Sequence, residues 1–222
     1  MYKRQDRAWF GELLAALAAN ASLGLRYTMA VKADEIDRDL VDRIVDAGFV
    51  QLSSYPESGS KRVLADMGKP IDLDRHLAAM EYASDRGLLV FNGFVLGWPG
   101  ESREEAESSW RIAEREYSDH VHMLPLSYLG RAPVGSRLAD VGVEPDTPEY
   151  FRLLNHPTEM CLAEYGRAEL EEMCEGRVKA LNVKKLLSPR TQAKLARLGW
   201  ETVRIPSGDS SQAREERTGV AS

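Results

Sequence analysis

Strand-like and helix-like segments alternate from residue 6 to about residue 128, and this alternation limits the fold more than any other feature of the chain. Trp9, Phe10, Leu13, Leu14 and Leu17 recur at helical spacing, and Gly24 follows them. Leu25 to Lys32 then alternates with a period of two. A second helical stripe carries Ile36, Leu40, Val41, Ile44 and Val45 and stops at Gly48. Phe49–Tyr55 reads as a strand, followed by a turn at Pro56-Glu57-Ser58-Gly59 and a short helix through Val63, Leu64 and Met67. Asp72 or Asp74 caps a further helix that ends at Gly87. Leu88–Leu96 is the most apolar strand, and Gly97-Trp98-Pro99-Gly100 breaks it. Ser102-Arg103-Glu104-Glu105 is a capping box that opens the next helix, and His120–Tyr128 is the fourth strand. Strands separated by helices of this length pair in parallel, with right-handed crossovers. On this pattern the sheet is either open and doubly wound or part of a barrel.

Two strands carry a polar face, which favours a barrel-like surface around a wet cavity. Parallel strands covered on both sides read as nearly continuous apolar runs. Here Arg26, Thr28 and Lys32 share one side of the first strand. Gln51, Ser53 and Tyr55 share one side of the second, with Glu57 in the same parity. A solvated edge strand is the plainer explanation of the same pattern. Function in parallel α/β folds sits at the carboxyl ends of the strands. That directs attention to Lys32-Ala33-Asp34, Glu57-Ser58-Gly59-Ser60, Gly97 to Glu101, and Ser127 to Arg131.

Composition narrows the function classes. The chain has 222 residues, 43% hydrophobic and 29% charged, with a net charge of −6. An acidic balance argues against nucleic acid as a partner. No apolar run reaches the ~20 residues of a membrane helix, so no membrane role is expected. Its two cysteines, Cys161 and Cys174, make neither a disulfide framework nor a four-ligand metal site and read as ordinary helix cysteines. The expected location is cytoplasmic.

Taken in order, the strand-end segments resemble those of the radical S-adenosylmethionine (SAM) superfamily. Tyr55-Pro56-Glu57-Ser58-Gly59-Ser60, followed by Val63-Leu64 and Met67-Gly68-Lys69, is similar to that family's fourth-strand segment. Gly93 to Ser102 is similar to its fifth-strand segment, and Lys32 to Asp37 to its third-strand exit, where Arg is often found in place of Lys. The resemblance covers roughly residues 6 to 130. It implies an α/β fold, a parallel-stranded partial TIM-like (β/α) barrel fragment with a mainly helical C-terminal extension. It also implies a SAM site: Glu57 and Ser58 for the ribose or amino-acid groups, Lys32 for the carboxylate, Val95 and Leu96 for apolar contact with adenine, and Gly97 for close backbone approach. The competing reading of Glu57-Ser58-Gly59-Ser60 is a strand-to-helix turn with Ser60 as the cap, and Glu101 can serve simply as a carboxylate at a helix N-terminus.

The family holds a [4Fe–4S] cluster on a C-x₃-C-x₂-C loop. No such loop is present, and the family's second-strand segment is absent as well. Met1-Tyr2-Lys3-Arg4-Gln5 reads as translated sequencing-adapter text. The expected layout is therefore an artefactual 1–5, a partial barrel of about four βα units over 6–135, a helical region over 136–205 and a disordered tail over 206–222. The expected function is a fragment of a radical SAM enzyme, inactive alone. The parent would use SAM, the cluster and a reductant such as a flavodoxin or ferredoxin, and cobalamin is compatible with the resemblance. The alternatives are a cluster-less βα-fold protein binding SAM or another small ligand, and an unrelated TIM-type metabolic enzyme. No catalytic residue and no metal ligand is assigned. His120-x-His122 has metal-pair spacing but lies at the strand start, away from the functional rim. His76 and His156 read as surface or cap residues.

Overall fold

The computed structural model describes residues 7–69, 71–127, 142–144 and 146–200. The expected adapter-like start, the polar tail and most of the Gly/Pro-rich connection after Tyr128 lie outside the described residues. The element order is α1 (Arg7–Ala19), β1 (Tyr27–Val31), α2 (Arg38–Asp46), β2 (Phe49–Glu57), α3 (Lys61–Asp66), α4 (Leu73–Asp85), β3 (Leu89–Leu96), α5 (Arg103–Ala113) and β4 (His120–Pro125). After these come α6 (Pro148–Asn155), α7 (Arg167–Glu171), a π-helical turn (Glu172–Arg177), α8 (Val178–Leu186) and α9 (Pro189–Arg197). The four strands pair in parallel in the order β1-β2-β3-β4. The fold is α/β, with the parallel sheet of a partial TIM-like barrel.

Local chemistry sets the helix starts. Asp37 accepts from Leu40 N, Asp72 from Arg75 N and Ser102 from Glu105 N, each side chain satisfying an amide that the first turn leaves unpaired. Glu105 returns the bond to Ser102 N and completes the capping box read from the sequence. The helices cover one face of the sheet. Leu52, Val90, Phe94, Leu96, Val121 and Met123 point into that layer, against Ile44, Met80 and Trp110. Burying an aliphatic or aromatic side chain of this size contributes about 1.5–3 kcal/mol, so this layer carries most of the fold's stability.

The opposite face carries Thr28, Gln51, Ser53, Tyr55, Phe91, His120 and His122, mixed polar and ring side chains of varied exposure. Tyr55 lies over Gly93, which has no side chain to block it, and its ring centroid is 6.0 Å from that of His122. His122 in turn meets His120 edge-on at 4.7 Å.

Several expectations needed adjustment. β1 begins at Tyr27, because the chain is still leaving a 3-10 turn at Gly24 and pairing with β2 starts at Tyr27–Phe49. β2 runs on to Glu57, and β4 ends at Pro125. His76 is 1% exposed rather than a surface residue, and desolvation lowers its pKa to about 4. Cys161 lies outside any helix. Residues 160–166 run irregularly within the helical region expected over 136–205, because their backbone bonds are made to the turn after β3: Gly100 N donates to Leu162 O and Glu164 N to Glu101 O, both at 2.9 Å.

The C-terminal helices close the N-terminal rim of the sheet through buried polar contacts. Lys194 Nζ pairs with Asp119 Oδ2 at 2.6 Å, the side chains 5% and 2% exposed. Lys194 also donates to Ser84 Oγ, while Thr191 Oγ1 and Val90 N donate to Asp119. Lys185 Nζ donates to the carbonyls of Arg115 and Ser118. The Asn182 amide bonds both N and O of Val121 on the outer edge of β4. A cavity of about 330 Å³ lies beside these contacts, lined by Gln51, Phe91, His120, Leu186 and Leu195 among others.

Candidate functional site

The carboxyl ends of β2 and β3 meet in one locked pair of turns. β2 slips register between Ser54 and Glu57, and Glu57 sits at φ 72°. A residue with a Cβ adopts that left-handed conformation only when its surroundings hold it, at a cost of order 1–3 kcal/mol, and such positions cluster at functional sites. An ion pair from Lys69 holds the Glu57 carboxylate, which remains partly exposed. Ser58 is fully buried, and its hydroxyl accepts from Ser60 N at 3.1 Å. Gly59 N donates to Ser109 Oγ at 2.8 Å. A Cβ at Gly59 would stand 2.5 Å from the backbone of Ser108, so only glycine lets this turn rest on α5. Ser60 caps α3 by accepting from Val63 N, as the plainer reading of the motif expected.

Glu105 joins this turn to the next. It accepts from Ser60 Oγ at 2.8 Å, from Arg62 Nε at 2.7 Å and from Ser102 N at 2.9 Å. Arg62 also reaches Gly100 O at 2.8 Å. The Arg62 hydrogen bond, supported by those from Ser102 and Ser60, holds the Glu105 carboxyl at about 2.

The Gly97–Glu101 turn closes around a buried carboxylate. Gly97 has φ 87°, and its N–H is 2.8 Å from both Glu101 Oε2 and the Tyr165 hydroxyl. Tyr165 donates to the same carboxylate oxygen at 2.5 Å. Glu101 is fully buried, and its Oε1 has no partner among the described residues. Burial raises the pKa of Glu101, and burial together with the neighbouring Glu101 raises that of Tyr165.

The other expected site residues fall around these turns. Lys32 is the exposed residue just past β1, 3.8 Å from Glu35. Val95 is half-buried at the end of β3, whereas the Leu96 side chain is fully buried in the helix-facing core and offers only backbone to the rim. Arg62 and Tyr165 were not foreseen. Arg62 lies two positions after a capping serine, where its reach to a distant carboxylate leaves no sequence signal, and Tyr165 comes from a region with no strand-helix rhythm.

Cofactor fit can be tested on these groups. An iron–sulfur cluster needs thiolates. Burial raises the pKa of Cys174 to about 12 and also raises that of Cys161, whose Sγ donates to Tyr165 O. These two thiols do not fit a cluster site. Among the described residues no group of three or more His, Cys, Asp or Glu is placed to hold a metal ion.

A protein-family model described as the Radical SAM superfamily matches residues 3–110, the stretch that contains both turns. Residues 3–110 belong to the radical SAM superfamily. Curated relatives include cytidylyl-2-hydroxyethylphosphonate methyltransferase of Streptomyces wedmorensis, 32% identical over 111 residues, 46% of this chain and 20% of that protein. A tRNA-2-methylthio-N(6)-dimethylallyladenosine synthase of Clavibacter michiganensis is 31% identical over 114 residues, 49% of this chain and 21% of that protein. The chain thus spans about a fifth of the length of these relatives. Among solved structures, coproporphyrinogen III oxidase from Escherichia coli, a radical SAM enzyme, superposes with a TM-score of 0.51 at 19% identity over 69% of this chain and 36% of its own. The radical SAM methyltransferase TsrM from Kitasatospora setae, with cobalamin and a [4Fe–4S] cluster bound, gives 0.53 at 17% identity over 73% of this chain and 32% of its own. These two likenesses establish the radical SAM fold. The superfamily uses SAM and a [4Fe–4S] cluster, and its members related to this chain include methyltransferases and methylthiotransferases.

Proposed function

We propose that this chain forms the SAM-facing part of a longer radical SAM enzyme of the methyl- or methylthio-transfer kind. The observation that carries the reading is the joining of the Glu57–Ser60 and Gly97–Glu101 turns at one rim through Ser60, Arg62 and Glu105. In the complete enzyme, SAM held at a cluster would supply a radical by one-electron reductive cleavage, or a methyl group by polar displacement from its sulfonium. This chain's own residues bind and orient it. The partly exposed Glu57 carboxylate, fixed by its backbone and by Lys69, accepts from ribose hydroxyls or the amino group. Lys32 offers a cation to the SAM carboxylate. Val95 and the backbone at Leu96 and Gly97 form the surface against adenine. Ser58 acts from within the turn, keeping Glu57 and Ser60 in place.

The cluster, an electron donor such as a flavodoxin or ferredoxin, and the substrate site belong to the complete enzyme. The cobalamin in the TsrM structure supports cobalamin as a further cofactor. No helix among the described residues is long and apolar enough to cross a membrane, which suits a cytoplasmic enzyme. A second reading, a cluster-less SAM- or small-ligand-binding protein, draws on the placement of the half-buried Cys161 and the buried Cys174 outside any group of three or more metal-ligating side chains among the described residues.

Calorimetric titration of the purified chain with SAM tests the first reading. The wild type is expected to bind, and E57A to bind about tenfold more weakly, a loss of about 1.4 kcal/mol. Absence of any binding by the wild type overturns it. Anaerobic incubation with iron and sulfide separates the two readings' common ground from their difference. The chain alone is expected to retain no stoichiometric iron, and a SAM-binding full-length protein that also retains none favours the second reading.

A further inference from the structure

The stretch Leu162–Leu170, far along the chain from both motifs, is bonded to the Gly97–Glu101 turn at every level. Its backbone accepts from Gly100 N through Leu162 O and donates to Glu101 O through Glu164 N. Its Tyr165 hydroxyl contacts both Gly97 N and the Glu101 carboxylate. Its Leu170 side chain comes within 3.2 Å of the position a Cβ on Gly97 would take. Arg103, the first residue of α5, pairs with Glu169 at 2.5 Å. A short turn with a positive φ and a buried carboxylate at its centre has several alternative shapes, and the buried Glu101 is costly unless a donor meets it. Tyr165 is that donor from outside the turn. Its O–H keeps Glu101 Oε2 in place, and Glu101 in turn fixes the direction of the Gly97 N–H and of the adjoining carbonyls.

We propose that Leu162–Leu170 is an integral wall of the SAM site, and that Tyr165 is a positioning residue which holds the Gly97–Glu101 turn in its ligand-binding shape. The proposal rests on the assignment of SAM to this rim. It makes the C-terminal region part of the cofactor site and ties the affinity for SAM to its docking.

The experiment compares the wild type with Y165F and Y117F by SAM titration and by hydrogen exchange of the peptide spanning residues 95–101. Tyr117 is a suitable reference because it too is a buried tyrosine with a hydroxyl bonded to a side chain, Asn92, yet it stands at the opposite rim. Y165F is expected to bind SAM about tenfold more weakly and to exchange faster at residues 95–101. Y117F is expected to lose thermal stability while binding SAM within about twofold of the wild type. A wild type that binds and a Y165F that binds equally well overturn the positioning role alone. Equal weakening in Y165F and Y117F also overturns it, since general destabilisation then accounts for both. A wild type that binds no SAM overturns the assignment of SAM to this rim and the proposal with it.

Discussion

The two rims of the sheet are both held by charged side chains, but in opposite ways. At the N-terminal rim two lysines are buried: Lys194 pairs with Asp119, and Lys185 donates to backbone carbonyls. At the C-terminal rim Lys32, Glu57, Arg62 and Lys69 keep part of their surface in water, and the last three fix two turns. A buried, fully matched pair specifies where helices dock and has nothing left for a ligand. A half-exposed, well-oriented group retains hydrogen-bonding capacity. On the function proposed above, the lower rim is scaffold and the upper rim is the working surface.

The largest test of this contrast is K194M. It leaves Asp119 buried without its cation and is expected to cost about 3–5 kcal/mol in urea unfolding. Any SAM affinity measured on the folded fraction should be unchanged. A loss of affinity at equal folded fraction would break the separation of the rims. Next is G59A, whose added methyl group meets the backbone of Ser108. It is expected to cost about 1–3 kcal/mol and, unlike K194M, to weaken SAM binding because it pushes the Glu57 turn off α5.

Smaller effects are read against pH. Glu105 is held at about 2 by Arg62, below its unfolded value, so its contribution is present above about pH 4.5 and lost as pH falls towards 2. Arg62 is 47% exposed, and screening reduces the contribution to about 1 kcal/mol. E105Q should flatten the acid limb of the stability curve by that amount. Lys185 presents the opposite sign at the other rim. Burial lowers its pKa to about 8, so between pH 8 and 10 the unfolded chain binds more protons and stability rises with pH. K185M should remove that rise, and a curve that stays unchanged would show that Lys185 is solvated in solution.

The upper rim was legible in the sequence because its turns are local. Glu57-Ser58-Gly59-Ser60 and Ser102 to Glu105 each make their defining bonds within a few residues, so composition and spacing reveal them. The parallel sheet was legible for a similar reason, since each strand is marked by its own apolar rhythm. The lower rim was hidden. Lys185 and Lys194 lie in helices whose polar composition reads as surface, and only contacts made 67 to 75 positions earlier explain their burial: the carbonyls of Ser118 and Arg115 for Lys185, and Asp119 for Lys194. Tyr165 was hidden likewise, its partners being 64 and 68 positions away. His76 misled because a histidine within an amphipathic helix carries no mark that separates a buried, neutral imidazole from an exposed one.

Asn182 has one more consequence. By presenting its carboxamide to both backbone groups of Val121, it occupies bonding positions that a fifth strand beside β4 would use. The other margin, along Tyr27–Val31, has no neighbouring strand among the described residues. Among the described residues the sheet thus has one margin capped by a side-chain amide at Val121 and one margin, along β1, with no neighbouring strand.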